Sequence, residues 1–370
     1  MKIIFDGLIY YLQKQGGISR YFDELIEGFS NRDDCEVTVL LRKNKIDKVF
    51  NDKVKLEVID SVLCSENKVK KYISVFRDKY AVNRFLKQND FSGAVFHYSY
   101  YTFYKNLKAK SVVTVHDLVH EKFPNFFGGI LNKIYLLNKK KSIEKADSLI
   151  AISGQTKNDL VEIYGIEQEK INVVYHGIGE KFHIMVDELR SDFLKKKNIS
   201  KPFFLFVGNR LLYKNFNFLL TSFSSWERRE EFDIYCVGGG EFTYEENILM
   251  KKLNLVGKIK LILSATEEDL IGFYNCSTAL IYPSLYEGFG FPILEGLACG
   301  TKVLASDTPV FREIGGDLPI YFNPYNQESL IKALDLSLSD DHSRMFAGLD
   351  WIKKFSWENT ISKTLQVYKK

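Results

Sequence analysis

No stretch of this chain approaches the roughly 18 uninterrupted apolar residues that a membrane-spanning helix needs, so the polypeptide is not expected to cross a bilayer. Its five cysteines (Cys35, Cys64, Cys236, Cys276 and Cys299) are odd in number and never form a Cys-x-x-Cys pair. That argues against both a disulfide framework and a zinc ribbon, and scattered thiols suit a reducing cytosol. His, Cys, Asp and Glu nowhere cluster with metal-ligand spacing, so no metal is expected. Short-period repeats and low-complexity tracts are absent, which argues against a solenoid. The opening run Met1 to Leu12 is apolar enough to suggest a signal peptide, but Asp6 interrupts it and no small-residue cleavage site follows. It reads instead as a buried first strand.

Charge of one sign is scarce as well. The net charge is only +4, spread so that residues 1–181 hold 29 Lys+Arg against 23 Asp+Glu and the remainder 22 against 24. Basic residues this diffuse argue against a nucleic-acid partner. In the basic first half, Lys68-Val69-Lys70-Lys71-Tyr72 and Lys139-Lys140-Lys141 lie near apolar and aromatic residues. Two readings stand side by side: peripheral contact with an anionic membrane surface, or solvated helix faces. The protein is expected in the cytoplasm, at the inner face of the membrane under the first reading.

What the chain does have is length and alternation. With 370 residues, 45% of them hydrophobic, it exceeds what one core usually covers, so two domains are expected. Short apolar runs recur between longer amphipathic segments: Ile3 to Phe5, Val37 to Leu41, Ala94 to His97, Ser111 to Val115, Ser148 to Ile152 and Ile171 to Val174. A second series follows a lysine-rich segment: Phe203 to Val207, Asp233 to Val237, Ile259 to Leu263, Thr278 to Tyr282, Lys302 to Ala305 and Leu318 to Phe322. This is the pattern of parallel sheets covered by helices. It predicts an α/β protein with Rossmann-like doubly wound domains at 1–185 and 200–355, and a helix at 356–370 packing back on a domain. Ligands of such folds bind beyond the carboxyl ends of the strands, so chemistry is expected in a cleft between the two domains.

The candidate residues all follow strands. In Ile281 to Gly300, glycines precede Pro292, which sits where a helix should begin, and the amides near Ile293 and Leu294 would be unpaired. A helix start with free amides is an anion site for which a diphosphate is a natural occupant. Glu287 lies on the loop and Glu295 in the first turns, suited to accept hydrogen bonds from sugar hydroxyls rather than to act as a catalytic pair. After the strand ending at Val207 come Arg210 and Lys214, four apart and able to converge on one anion, although most such pairs are surface residues. Gly16 and Gly17 open a helix after the first strand, where backbone could approach a phosphate or simply turn. His116, beside Asp117, is either a packed histidine or a hydrogen-bond partner for a sugar. Tyr98, Tyr100, Tyr101, Phe103 and Tyr104 fit a carbohydrate surface or a stacked core equally.

Tyr-Pro-Ser-x-Tyr-Glu-Gly-Phe-Gly-Phe-Pro-x-x-Glu-Gly, ending at Gly296, resembles the Glu-x7-Glu signature of the family 4 retaining glycosyltransferases of GT-B fold, and the resemblance extends over nearly the whole chain. It implies that Glu295 holds the nucleotide ribose, that Glu287 contacts the donor sugar, and that Phe289, Gly290 and Phe291 bracket sugar and phosphate. Val207-Gly208 through Lys214-Asn215 resembles the family's diphosphate clamp, except that Arg210 follows Asn209 instead of directly following Gly208. Gly16-Gly17-Ile18-Ser19-Arg20-Tyr21 resembles the family's glycine-pair element, and His116 matches a histidine lining the donor-sugar pocket. Gly238 to Gly240 and Ser264 to Glu267, with Ala265 and Glu267, correspond to stretches near the nucleobase.

The resemblance implies a metal-independent hexosyltransferase without cofactor that uses a nucleotide diphosphate sugar, GDP- or UDP-linked, as donor. A saccharide or a polyprenyl-diphosphate-linked glycan is the expected acceptor, in O-antigen and lipopolysaccharide biosynthesis, with mannose the favoured sugar. The rival readings are a nucleotide-sugar epimerase or hydrolase, or an inactive nucleotide-sugar-binding subunit, on the same fold.

Overall fold

In the computed structural model the described residues are all but 14, 15, 44, 45, 47, 63–67, 106 and 340–342; the side chains of 68–73, 76 and 343–345 are likewise outside the description. Gln15, Cys64, His342 and the side chains of the Lys68 to Tyr72 cluster therefore lie outside the described residues. The chain forms two compact units, Met1–Gly177 with Trp357–Lys370, and Ile178–Ser356.

The first unit holds a seven-stranded sheet of β1 (Lys2–Phe5), β2 (Glu36–Arg42), β3 (Lys55–Ile59), β4 (Val95–Tyr98), β5 (Lys110–Val115), β6 (Ser148–Ala151) and β7 (Ile171–Val173). Their spatial order is β3-β2-β1-β4-β5-β6-β7. Every pair is parallel, with Ile3 opposite Val37 on one side and Val95 on the other. The reversal of strand order beside β1 is the switch point of a doubly wound sheet. The second unit repeats the plan with β8 (Phe203–Val207), β9 (Asp233–Val237), β10 (Ile259–Ile262), β11 (Ala279–Tyr282), β12 (Val303–Ser306) and β13 (Ile320–Phe322). These are ordered β10-β9-β8-β11-β12-β13 and again all parallel.

Parallel strands covered on both faces must be apolar along their whole length. The run Phe203-Phe204-Leu205-Phe206 is buried throughout. Phe204 stacks on Phe232 and meets the Trp226 ring edge-on, which anchors the second core. β3 was not expected: Lys55, Leu56 and Val58 are exposed on this edge strand, so no apolar run announces it.

The join expected near residues 180–200 is also corrected. Residues 178–200 belong to the second unit, where Asp187–Lys196 is a helix with Asp187 and Glu188 in its first turn and Lys195 and Lys196 in its last. That charge order complements the helix dipole, and Phe193 packs edge-on against Phe273. The lysine-rich composition that looked like a linker is the solvent face of this helix. The terminal helix Trp357–Lys369 packs back on a domain as expected, and that domain is the first. It buries Leu365, Val367 and Tyr368 with Phe5, Phe22 and Phe29, and the Tyr368 hydroxyl lies 2.6 Å from His97 Nδ1.

Removing that ring should cost far more than removing its hydroxyl. Tyr368→Ala is expected to destabilise the protein by about 3–5 kcal/mol, and Tyr368→Phe by about 1 kcal/mol, in urea unfolding. Equal losses from the two variants would show that packing is not what docks this helix.

Candidate active site

In the second unit, the strands deliver three loops to one edge of the sheet. β11 ends at Tyr282 and leads into the loop that carries Glu287. β8 leads through Gly208, whose φ of 113° suits glycine, to the short 3-10 turn Leu212–Lys214. The two loops are tied together, because Leu285 N–H donates to Tyr213 O at 2.8 Å. Lys214 Nζ then donates to Glu287 Oε1 at 2.5 Å, with both side chains mostly buried. The Tyr282 hydroxyl also bonds Glu287, and burial together with that carboxylate pushes the phenol's pKa far up, so it stays a donor.

Glu287 introduces the helix Phe291–Ala298, whose second residue is Pro292 and whose cap is Gly290 at φ 130°. The Ile293 amide, expected to be unpaired, instead donates to Gly290 O at 3.0 Å, since the glycine tightens the first turn. The side chains of Ile293 and Leu294 are fully buried, and Phe289 packs on Phe291 and Phe355. Glu295, one turn in, is buried and accepts from the Tyr274 hydroxyl at 2.8 Å.

Arg210 does not share an anion with Lys214. Its Nε donates to Glu246 Oε1 at 3.0 Å, Nη1 to Gly238 O at 3.2 Å, and Nη2 to the Gly240 and Glu241 carbonyls at 2.8 Å each. Four of the five guanidinium N–H groups are thereby spent, and the side chain is only 3% exposed. Gly238, Gly239 and Gly240 all have positive φ, and a Cβ on Gly239 would fall 2.8 Å from Gly208 O. Arg210 therefore holds the glycine turn against the Gly208 loop. These are the contacts of the residue that the family resemblance assigns to a phosphate clamp. Ala265 lies on the loop after β10, and Glu267 opens the next helix, where its carboxylate pairs with Lys181 at 2.7 Å.

In the first unit, His116 follows β5 and is buried. Its N–H donates to the Tyr101 hydroxyl at 3.2 Å, its ring lies nearly parallel to His176 at 5.8 Å, and its Nε2 has no hydrogen-bond partner. Burial pulls its pKa down to about 4 against the opposing pull of Asp117, so the ring is neutral near pH 7. Gly16 caps the helix Gly17–Ser30, its carbonyl taken by Arg20 N–H and Ser19 Oγ at 3.0 Å each.

Two groups escaped the sequence reading. Arg42, at the end of β2, is buried and forks onto Asp78 through Nε at 2.9 Å and Nη2 at 2.8 Å. It also donates to the Asp6 and Leu40 carbonyls. The Asp6 carboxylate in turn accepts from Ser99 N–H at 2.8 Å, Leu8 N–H at 3.3 Å and Thr102 Oγ1 at 3.4 Å. The side-chain partners Arg42 and Asp78 lie 36 residues apart and leave no local signature. In the second unit, Ser284, Ser306 and Thr308, at the ends of β11 and β12, bury hydroxyls without partners. Isolated serines and threonines carry no pattern either. Among the described residues no three His, Cys, Asp or Glu side chains group to hold a metal.

Residues 15–181 match the family model described as Glycosyltransferase Family 4, and residues 188–348 that described as Glycosyl transferases group 1. The chain is 28% identical over 229 residues to the O-antigen chain mannosyltransferase RfbU of Salmonella typhimurium strain LT2, covering 62% of this chain and 61% of that protein. It is 27% identical over 278 residues to the serotype-specific mannosyltransferase WbdA of Escherichia coli, covering 70% of this chain but 33% of that protein. The sucrose-phosphate synthase of Thermosynechococcus elongatus shares the fold, with a TM-score of 0.80 at 18% identity over 100% of this chain and 98% of that one.

The histidines make stability depend on pH. His97, pulled down to about 3 by burial and by His116, meets the Phe22 ring edge-on, as His116 does. A histidine whose folded pKa is depressed stays neutral where the unfolded chain gains a proton, so stability is lost as pH falls below the unfolded value of about 6.5. Each should subtract on the order of 2 kcal/mol at pH 5. Urea unfolding at pH 7 and pH 5 should show this loss, and His116→Gln should shrink it by one histidine's share. An identical pH dependence in the variant would refute the assignment.

Proposed function

Because the chain belongs to the family 4 glycosyltransferases of GT-B fold, its two family matches together spanning residues 15–181 and 188–348, we propose that it transfers a hexose from a nucleotide diphosphate sugar to a saccharide or lipid-linked glycan in surface-polysaccharide synthesis. Mannose is the sugar favoured by the names of the relatives. The second unit takes the donor and the first unit the acceptor.

The observation that carries this reading is the Lys214–Glu287 pair, backed by Tyr282, on the loop before the Phe291–Ala298 helix. Without ligand, cation and carboxylate satisfy each other. A donor would separate them: its diphosphate takes Lys214, and its sugar hydroxyls donate to the released Glu287. As the bond from anomeric carbon to phosphate oxygen breaks, negative charge grows on the diphosphate, and Lys214 and the positive end of the helix stabilise it. That supplies the neutralisation a divalent ion provides elsewhere, so the reaction is metal-independent. Glu295, which accepts from the Tyr274 hydroxyl, is in this reading the acceptor for ribose hydroxyls.

Configuration is retained. A double displacement would need a carboxylate nucleophile, and Glu287 is engaged as a hydrogen-bond acceptor. The acceptor oxygen therefore bonds to the anomeric carbon on the face that the phosphate leaves, and the acceptor's proton passes to a phosphate oxygen. His116, neutral and with Nε2 unpartnered, offers a hydrogen bond to a sugar hydroxyl. Peripheral membrane contact has its support on the helix Ile130–Lys145, where Ile130, Lys133, Leu137 and Lys140 are all exposed. No described helix is long and apolar enough to cross a membrane.

The reading is tested by turnover with GDP-mannose and UDP-glucose across an acceptor panel, in EDTA, with the product anomer assigned by NMR. Lys214→Ala and Glu287→Gln should each lower kcat by about 10²–10³, measured at a temperature where the folded fraction of each variant, reduced by breaking the ion pair, has been checked by its melting curve. Arg210→Ala should instead destabilise the fold by about 3 kcal/mol, because it leaves Glu246 buried without its partner. Wild-type turnover in both Lys214→Ala and Glu287→Gln would remove the basis of the proposal.

A further inference from the structure

In the run Lys139-Lys140-Lys141 the last two side chains are exposed and the first is not, for Lys139 is 0% exposed. An ammonium shut away from water is unfavourable unless it is paired and hydrogen-bonded. Here the partners are specific. Lys139 Nζ donates to Asp117 O at 2.7 Å and to Glu121 Oε2 at 3.0 Å, and it lies 5.1 Å from the centre of the Tyr101 ring and 5.8 Å from that of Tyr135. Glu121 is held in turn, accepting from the Tyr164 hydroxyl at 2.6 Å. A methionine would fill a similar volume on this helix without the desolvation cost, so packing alone does not account for the charge.

What the ammonium reaches is the backbone beside His116. Its acceptor, Asp117 O, belongs to the next residue, and Asp117 Oδ1 accepts from Val119 N–H at 3.2 Å where the chain turns into the short helix Val119–Lys122. On the other side, His116 N–H donates to the Tyr101 hydroxyl at 3.2 Å, and the ring that carries this hydroxyl is the one over which the ammonium sits. Both restraints on the His116 backbone converge on Lys139, one directly and one through Tyr101. The imidazole itself is boxed in by Tyr21 and Phe22, edge-on at 5.4 and 6.3 Å, and by His176, nearly parallel at 5.8 Å. Burial keeps Tyr21, His97 and His176 uncharged near pH 7. The charges that act on the ring are Asp117, which favours a proton there, and Lys139, which opposes one.

We infer that Lys139 is a positioning residue for His116: it clamps the backbone on both sides of that histidine, so that the unpartnered Nε2 is presented to a sugar hydroxyl in one orientation. The inference rests on the glycosyltransfer reading for the sugar, whereas the clamp lies wholly within the first unit.

The test joins a double-mutant cycle on turnover to NMR of the full chain carrying isotope-labelled histidine. Lys139→Met removes the donor; Lys139→Met combined with Glu121→Gln removes both charges, so that no lone buried carboxylate burdens folding. Melting curves fix a temperature at which every variant is folded. Both variants should lower kcat by about tenfold or more. Added to His116→Ala, Lys139→Met should deepen the loss that His116→Ala causes by itself very little, because a residue that acts through another cannot be removed twice. The His116 titration midpoint should rise by roughly one unit in both Lys139 variants. Losses that multiply with that of His116→Ala, wild-type turnover in both Lys139 variants, or an unmoved His116 midpoint would overturn this inference alone. Wild-type turnover in His116→Ala would overturn it together with the proposed sugar contact. The midpoint is read without turnover, so the clamp can fail while the glycosyltransfer reading stands, or stand while that reading fails.

Discussion

Each unit has a guanidinium shut away from water at the carboxyl edge of its sheet, and the loops of each unit depend on it. Arg42 is 2% exposed and joins β1, β2 and the helix Lys68–Gln88 through Asp6 O, Leu40 O and Asp78. Arg210 joins the loop after β8 to the turn after β9 through three carbonyls and Glu246. Burying such a charge is unfavourable unless nearly every N–H finds an acceptor, and removing one partner leaves a penalty of about 3–5 kcal/mol. Lysine could replace neither, because a single ammonium cannot span acceptors arranged around a planar fork.

With the loops fixed in this way, charged side chains can be held on them in place. In the second unit Lys214 and Glu287 neutralise each other, so a cation and an acceptor sit mostly buried without unbalanced charge. In the first unit the Asp6 carboxylate orients Thr102 and the backbone of Leu8 and Ser99 beside the strand ends.

Most of the fold was legible because fully covered parallel strands must be apolar end to end, and runs such as Phe203 to Val207 or Ser148 to Ala151 have no other use. β3 was hidden because an edge strand carrying Lys55 and Glu57 escapes that requirement. Glu287, Glu295 and Lys214 could be picked out because glycines and Pro292 mark the turns around them. The contacts of Arg210 with Glu246 and the glycine turn were not legible, because spacing says which residues are neighbours along the chain, not which acceptors a long side chain can reach. The Ile293 amide was misjudged because the tightness of a helix's first turn depends on the φ of Gly290, which composition does not reveal. The Arg42–Asp78–Asp6 group was invisible, since its members meet only after two strands and a helix have come together.

The second unit interrupts the first, whose chain leaves at Gly177 and resumes at Trp357. On a ribosome, residues 1–177 emerge long before the helix that covers Phe5, Phe22 and Phe29, and they must wait through the synthesis of an entire second sheet with that apolar face open. A product cut short before Tyr368 lacks the ring that lies 5.3 Å from that of Phe29 and covers this side of the first core.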